Sequence, residues 1–197
     1  MLEQLQVLSP AETLAVILAI AYLLLVIRQN IWCWICAGIS SAIYVWLFIE
    51  ARLYMESVLY AFYVGMAVYG WIIWNGSGKD DAELPVRVWP LKLHVVAMLT
   101  IVALASATGW YFSNFTNAAY PYVDSMTTFA AIWTTFLVAR KVLENWWYWL
   151  LIDVVSVAIY WSRGLELTAL LFVLYVILIP VGLLQWRKAY RSQAASA

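Results

Sequence analysis

Apolar runs of 17 to 21 residues alternate with short polar breaks along the whole chain. They cover about 11–27, 31–49, 57–74, 93–111, 121–139, 145–162 and 166–186. Each is close to the roughly 20 residues that cross a ~30 Å hydrocarbon layer at ~1.5 Å per residue. The breaks are "RQN" at 28–30, "EARLYMES" at 50–57, "NGSGKDDAELPVR" at 75–87, "SNFTN" at 113–117, "RKVLE" at 140–144 and "SRG" at 162–164. Ser9-Pro10-Ala11-Glu12 reads as the first helix start, with Ser9 as cap, Pro10 in the first turn and Glu12 closing a capping box. The pattern predicts an all-α integral membrane protein of seven transmembrane helices, with residues 1–197 forming a single transmembrane domain and no room for a soluble one.

Composition agrees. Hydrophobic residues make up 66% of the 197 and charged residues 11%, against about half and a quarter in a soluble domain. Zero formal net charge leaves no basic surface for nucleic acid. Thirteen Trp and thirteen Tyr exceed what two interfacial aromatic belts need, so some rings face something other than headgroups. Cys33 and Cys36 form a C-x-x-C inside an apolar run, without a second pair and with a single histidine, His94. They read as packing residues rather than metal or redox ligands.

Basic residues orient the chain. Arg28, Lys79, Arg87, Lys92, Arg140, Lys141, Arg187, Lys188 and Arg191 fall on one side, Arg52 and Arg163 on the other. The first side is expected in the cytoplasm, with the N-terminus outside and the C-terminus inside. The chain also repeats itself. "NIWCWICAGISSAIYVW…YVGMAVYGWIIW" matches "NWWYWLLIDVVSVAIYW…YVILIPVGLLQW", pairing Trp32 with Trp147, Trp34 with Trp149, Gly38 with Asp153, Ser41 with Ser156, Tyr63 with Tyr175, Gly70 with Gly182 and Trp74 with Trp186. The expected plan is a first triple-helix bundle over 11–74, a linker loop and linking helix over 75–111, and a second bundle over 121–186. One linking helix makes the halves parallel, a 3+1+3 arrangement with a site at the repeat interface.

Asp153 lies halfway along the sixth span, where a carboxylate costs about 2.5–3.5 kcal/mol on insertion scales and usually marks a functional site. Trp146, Trp149, Asp153, Ser156 and Tyr160 recur at steps of three and four, on one helical face. Leu150, Leu151, Val154, Val155 and Ile159 form the opposite face. Indoles beside an anion suit a flat organic cation, by stacking and by charge. Gly38, the repeat mate of Asp153, leaves room opposite it. The fifth span carries Asp124, Thr127, Thr128, Thr134 and Thr135. Its threonines either line a cavity or bond their own helix, and Asp124 either joins that stripe or sits at the outer mouth. Asn30 in "RQN" either lends an amide to the path or caps a helix. Trp34 joins the candidates as the repeat mate of Trp149. An intramembrane enzyme needs a nucleophile–base pair or metal ligands, and His94 stands at a helix start beside Lys92, far in sequence from both intramembrane aspartates.

"RQNIWCW", "YGWIIW", "ARKVLENWWYW" and "YWSRG" resemble the PnuC-type bacterial vitamin transporters over about Arg28 to Trp186. The resemblance implies a SWEET-like 3+1+3 plan, a homotrimer in the bacterial inner membrane, and facilitated diffusion of a vitamin that a cytoplasmic kinase then traps. No cofactor is expected, and two cysteines without histidine partners make a poor metal site. The family's nicotinamide riboside branch lines its substrate site with Trp-x-x-Trp-x-x-x-Asn on the sixth helix. Trp146 and Trp149 match that motif, Asp153 replaces the asparagine, and Thr134 stands where that branch often has glutamine. The aspartate is similar to the thiamine branch, often called PnuT. Thiamine is therefore the expected cargo, with nicotinamide riboside or another vitamin or nucleoside as the alternative.

Overall fold

The computed structural model describes residues 10–50, 54–76, 84–116, 120–162 and 166–196. Seven helices run through them: α1 (Pro10–Ile27), α2 (Cys33–Glu50), α3 (Tyr54–Asn75), α4 (Leu91–Phe115), α5 (Pro121–Ala139), α6 (Asn145–Ser162) and α7 (Glu166–Ser196). Each expected span is present. α1 opens on Pro10 with Glu12 in its first turn, whereas Ser9 lies outside the described residues. α7 outruns its span by ten residues, because Arg187, Lys188 and Arg191 end the apolar stretch without ending the helix.

Five helices are long and apolar enough to cross a membrane: α1, α2, Ser57–Asn75 of α3, α4 and Thr168–Ala195 of α7. α5 and α6 have 19 and 18 residues, enough for about 27 Å of rise. Their hydropathy is lowered by the threonines and Asp124 of one and the indoles, Ser156 and Asp153 of the other. The two least lipid-like helices are the two to which the sequence assigns the candidate site.

Two compact units form. The first takes residues up to Val86, Ala139–Lys141 and Val181 onward; the second takes Arg87–Val138 and Val142–Pro180. In the first, α2 packs on both α1 and α3. The buried Ser40 hydroxyl donates to the Ala15 carbonyl at 2.8 Å, the kind of polar tie that joins helices in lipid. Small residues allow close approach. A Cβ added at Gly38 would stand 3.5 Å from the Ala67 methyl, so Gly38 lies against α3. A Cβ at Gly70 would fall 2.2 Å from the Trp34 ring. Gly70 thus makes the slot that receives Trp34, which is 2% exposed and meets Trp74 edge-on at 5.5 Å.

The ends of α1 and α5 are built alike. Gln29 N–H donates to Val26 and Asn30 N–H to Leu25, both at 2.9 Å. Val142 N–H likewise donates five residues back to Leu137 at 2.9 Å. These are Schellman-type endings, whose turning residue is left-handed and usually glycine. Here it is Gln29 at φ 55° and Lys141 at φ 49°, a conformation that costs a side-chain-bearing residue about 1–2 kcal/mol. Two tryptophans also donate to carbonyls at the same ends. Trp74 Nε1–H donates to Ala139 at 3.0 Å and Trp186 Nε1–H to Val26 at 2.9 Å. Trp74 thus caps the end of α5 and Trp186 the end of α1.

In the second unit, the extended segment before α4 is tied to the α5–α6 connection. Leu143 N–H donates to the Arg87 carbonyl at 2.8 Å. Trp89 N–H reaches Glu144 Oε2 at 3.4 Å, and His94 Nδ1 shares a hydrogen bond with the Tyr148 hydroxyl at 3.0 Å. Gly109 brings α4 against α5: a Cβ there would stand 2.9 Å from the backbone of Tyr122.

Trp74→Phe and Trp186→Phe each remove a donor from a buried carbonyl, at an expected cost of about 1–3 kcal/mol. Trp186→Phe falls at the lower end, since Val26 keeps the Gln29 N–H. Thermal unfolding in one detergent checks this; an unchanged melting temperature in both variants contradicts it.

Candidate functional site

The periodicity of α6 separates its faces cleanly. Asn145, Trp146, Ile152, Asp153 and Ser156 are buried. Trp149 and Tyr160 are half-buried, while Trp147, Leu151, Val154 and Trp161 are 49–63% exposed. Asp153 is the ninth of the helix's 18 residues and is 4% exposed. The carboxylate therefore sits at mid-helix on the buried face, aligned with Trp146 a helical turn or two before it and Ser156 after it. Tyr160 continues the face and stacks toward Phe172 at 5.2 Å. Asn145 fixes the start of the helix by donating Nδ2–H to the Val142 carbonyl at 2.6 Å.

α5 belongs to the same unit and supplies the second group of candidates. Asp124 lies in its first turn, where the helix N-terminus favours a carboxylate; this matches a mouth position rather than mid-depth. Thr127 Oγ1 donates to Val123 and Asp124 at 3.0 Å. Thr134 donates to Ala130 at 2.6 Å and Thr135 to Ala131 at 2.8 Å. The hydroxyl protons serve their own helix, leaving oxygen lone pairs as acceptors. Thr134 is completely buried.

Asn30 and Trp34 belong to the other unit. Trp34 fills the Gly70 slot described above. Asn30 Oδ1 accepts from Trp32 N–H at 3.0 Å, as a helix-start cap does. Asn30 also lines a cavity of about 400 Å³ with Gln29, Ile31, Trp32, Trp74, Asn75, Leu84 and Lys141.

A family model for nicotinamide mononucleotide transporters matches residues 9–188. The chain belongs to this family. A member of it is a multi-pass membrane transporter and not an enzyme, and this holds for the chain. The nicotinamide riboside transporter PnuC of Escherichia coli is 26% identical, covering 77% of this chain and 74% of its own length. The riboflavin/roseoflavin transporter RibM of Streptomyces davaonensis is also 26% identical, covering 86% of this chain and 81% of its own. The crystal structure of the vitamin B3 transporter PnuC superposes with a TM-score of 0.70 at 18% identity, over 92% of this chain and 82% of that one. The fold is shared with that structure, and relatives of this transporter family carry chemically different cargoes.

The sequence reading missed two polar clusters. One is His94, Tyr148 and Glu144, with His94 Nε2 4.0 Å from the Glu144 carboxylate. The other is the cavity at Lys141, a cation only 3% exposed whose ammonium lies 4.6 Å from the centre of the Trp74 ring. Its signal was local: two helix-ending loops, "RQN" and "RKV", that lack the usual glycine. Among the described residues no three of His, Cys, Asp and Glu group as metal ligands, and Cys33 and Cys36 are free thiols.

Adjacent indoles on α6 provide a sharp test. Trp146 is 1% exposed and Trp147 59%. Trp146→Ala is expected to cost about 3–5 kcal/mol and Trp147→Ala no more than about 0.5 kcal/mol. Thermal unfolding of the two variants side by side measures the difference; equal losses contradict the facing of α6.

Proposed function

We propose that this chain is a uniporter for vitamin uptake across the bacterial inner membrane, with thiamine as its cargo. Asp153 carries the reading: a buried acidic group, halfway along a membrane-length helix, in register with Trp146 and Trp149. A carboxylate in such surroundings is expensive unless it meets a partner. Thiamine offers a permanent thiazolium charge and an aminopyrimidine donor in one flat molecule. The indoles stack on its rings, Asp153 pairs with its charged or donor edge, and Ser156, Tyr160, Thr134 and Thr127 provide polar contacts. Asp124 attracts the cation at the outer mouth.

The halves 11–74 and 121–186 act as parallel triplets joined by the linker 75–111, in a 3+1+3 plan with the N-terminus outside and the C-terminus inside. The exchanged Trp74 and Trp186 caps support this pseudo-symmetry. Each protomer of a homotrimer holds its own path. Transport runs down the gradient, and a cytoplasmic kinase makes uptake one-way by phosphorylating the vitamin.

A second reading keeps the fold and changes the cargo to nicotinamide riboside, favoured by the family description and the name of the E. coli relative. Uptake of labelled thiamine, nicotinamide riboside and riboflavin into proteoliposomes separates the readings. Saturable thiamine flux is expected, falling at least about tenfold in Asp153→Asn, in keeping with loss of a charge-assisted contact worth about 1.5–3 kcal/mol. Thiamine flux no higher than in empty liposomes, alongside flux of either other vitamin, overturns the assignment.

A further inference from the structure

We propose that the exposed cations Arg28, Arg187, Lys188 and Arg191 form a docking surface for an anionic phospholipid of the surrounding bilayer. The pattern that carries this lies on α1 and α7, within the first compact unit. On α7, Val181, Leu184, Lys188 and Arg191 recur at steps of three, four and three, and so share one face. All four are exposed, and the exposed Arg187 stands beside them. On α1, Leu14, Ile17 and Leu24 are exposed at steps of three and seven, and the exposed Arg28 follows Leu24 by four. Each helix thus presents an outward stripe that is apolar along its length and cationic at its end.

One bond brings the two cationic ends together. Trp186 Nε1–H donates to the Val26 carbonyl at 2.9 Å. Arg187 directly follows the first of these residues and Arg28 follows the second by two, so the four cations gather where α1 ends. The other side of α7 is already engaged. Trp186 is fully buried, and Gln193, roughly 200° around the helix from Arg191, accepts from Val86 N–H at 3.1 Å. Among the described residues none of the four cations forms a salt bridge. In a multi-pass membrane protein an exposed apolar stripe faces acyl chains, and the cations that end it reach headgroup level. Clustered Lys and Arg beside a membrane helix attract anionic lipid. The arginine fork suits phosphate oxygens in pairs, and the lysine ammonium meets them as a point charge. A soluble phosphate meets the cations but leaves the stripes bare, whereas a phospholipid meets both.

Native mass spectrometry of the delipidated protein in a neutral detergent tests the surface. The probes are phosphatidylglycerol, phosphatidylcholine with the same acyl chains, and inorganic phosphate. Phosphatidylglycerol is expected to bind at least about tenfold more tightly than phosphatidylcholine, and less so as salt is raised. The combined substitution Arg187→Gln, Lys188→Gln and Arg191→Gln is expected to remove most of that preference, and Arg28→Gln to lower it further. Arg187→Lys with Arg191→Lys retains it. These side chains are exposed, so the melting temperature in the same detergent is expected to hold. Should the combined variant unfold early, Lys188→Gln and Arg191→Gln singly carry the same comparison. Lys92→Gln, at an exposed position of α4, is expected to leave the preference unchanged. Equal binding of the two lipids, or a preference unchanged in the α7 variants, overturns the proposal. An equal loss in Lys92→Gln assigns the preference to net charge and overturns the surface. Displacement of the lipid by equimolar inorganic phosphate overturns the part given to the apolar stripes. A lower oligomeric mass in the α7 variants with lipid adducts unchanged gives this face to a second copy of the chain and also overturns it.

Discussion

A helix end leaves carbonyls with no partner inside the helix, and burying them unpaired is costly. The ends of α1 and α5 meet this constraint twice over. Each turns back through a left-handed residue, and each receives an indole N–H, from Trp186 at Val26 and from Trp74 at Ala139. An indole is large enough to fill the gap beside the helix end and has a single donor to offer. The arrangement fixes the short connections after α1 and α5, and with them the starts of α2 and α6.

The same constraint explains an unusual expenditure of backbone strain. A glycine at 29 or 141 turns the chain more easily, yet both positions carry long polar side chains that border one cavity. Trp74 links the two roles, capping α5 through its N–H and facing Lys141 with its ring. A residue that completes the fold thereby also shapes a polar recess at the helix ends. The α6 face follows a different logic. There a carboxylate is placed at mid-helix in register with indoles, on one of the two helices that are less apolar than the five membrane-length spans.

The seven elements were legible because length and apolarity in a membrane chain are strong, local signals, and boundaries failed mainly where charges beyond the membrane continue a helix, as in α7. The buried and exposed faces of α6 were legible for the same reason: a 3.6-residue period sorts Asp153 from Val154 without knowledge of partners. Contacts across the chain were not. Nothing in the sequence near Trp34 announces Gly70 as its slot, and Gly38 gave no sign that its empty side faces Ala67. Lys141 looked like one more cation on the cytoplasmic side, because counting charges does not reveal that a turn tucks one of them beneath an indole. Threonines posed a choice that only coordinates resolve, and the protons of Thr127, Thr134 and Thr135 go to their own helix.

The membrane fold and the family fix what kind of protein this is; the choice of thiamine is a proposal that rests on Asp153. The most direct measurement is a structure of the protein in a lipid nanodisc with thiamine bound. The vitamin's rings are expected against Trp146 and Trp149, with an Asp153 carboxylate oxygen within about 3 Å of a ligand donor or the thiazolium. Thiamine density away from α6, or an Asp153 carboxylate engaged only by protein groups while the ligand lies elsewhere, contradicts it.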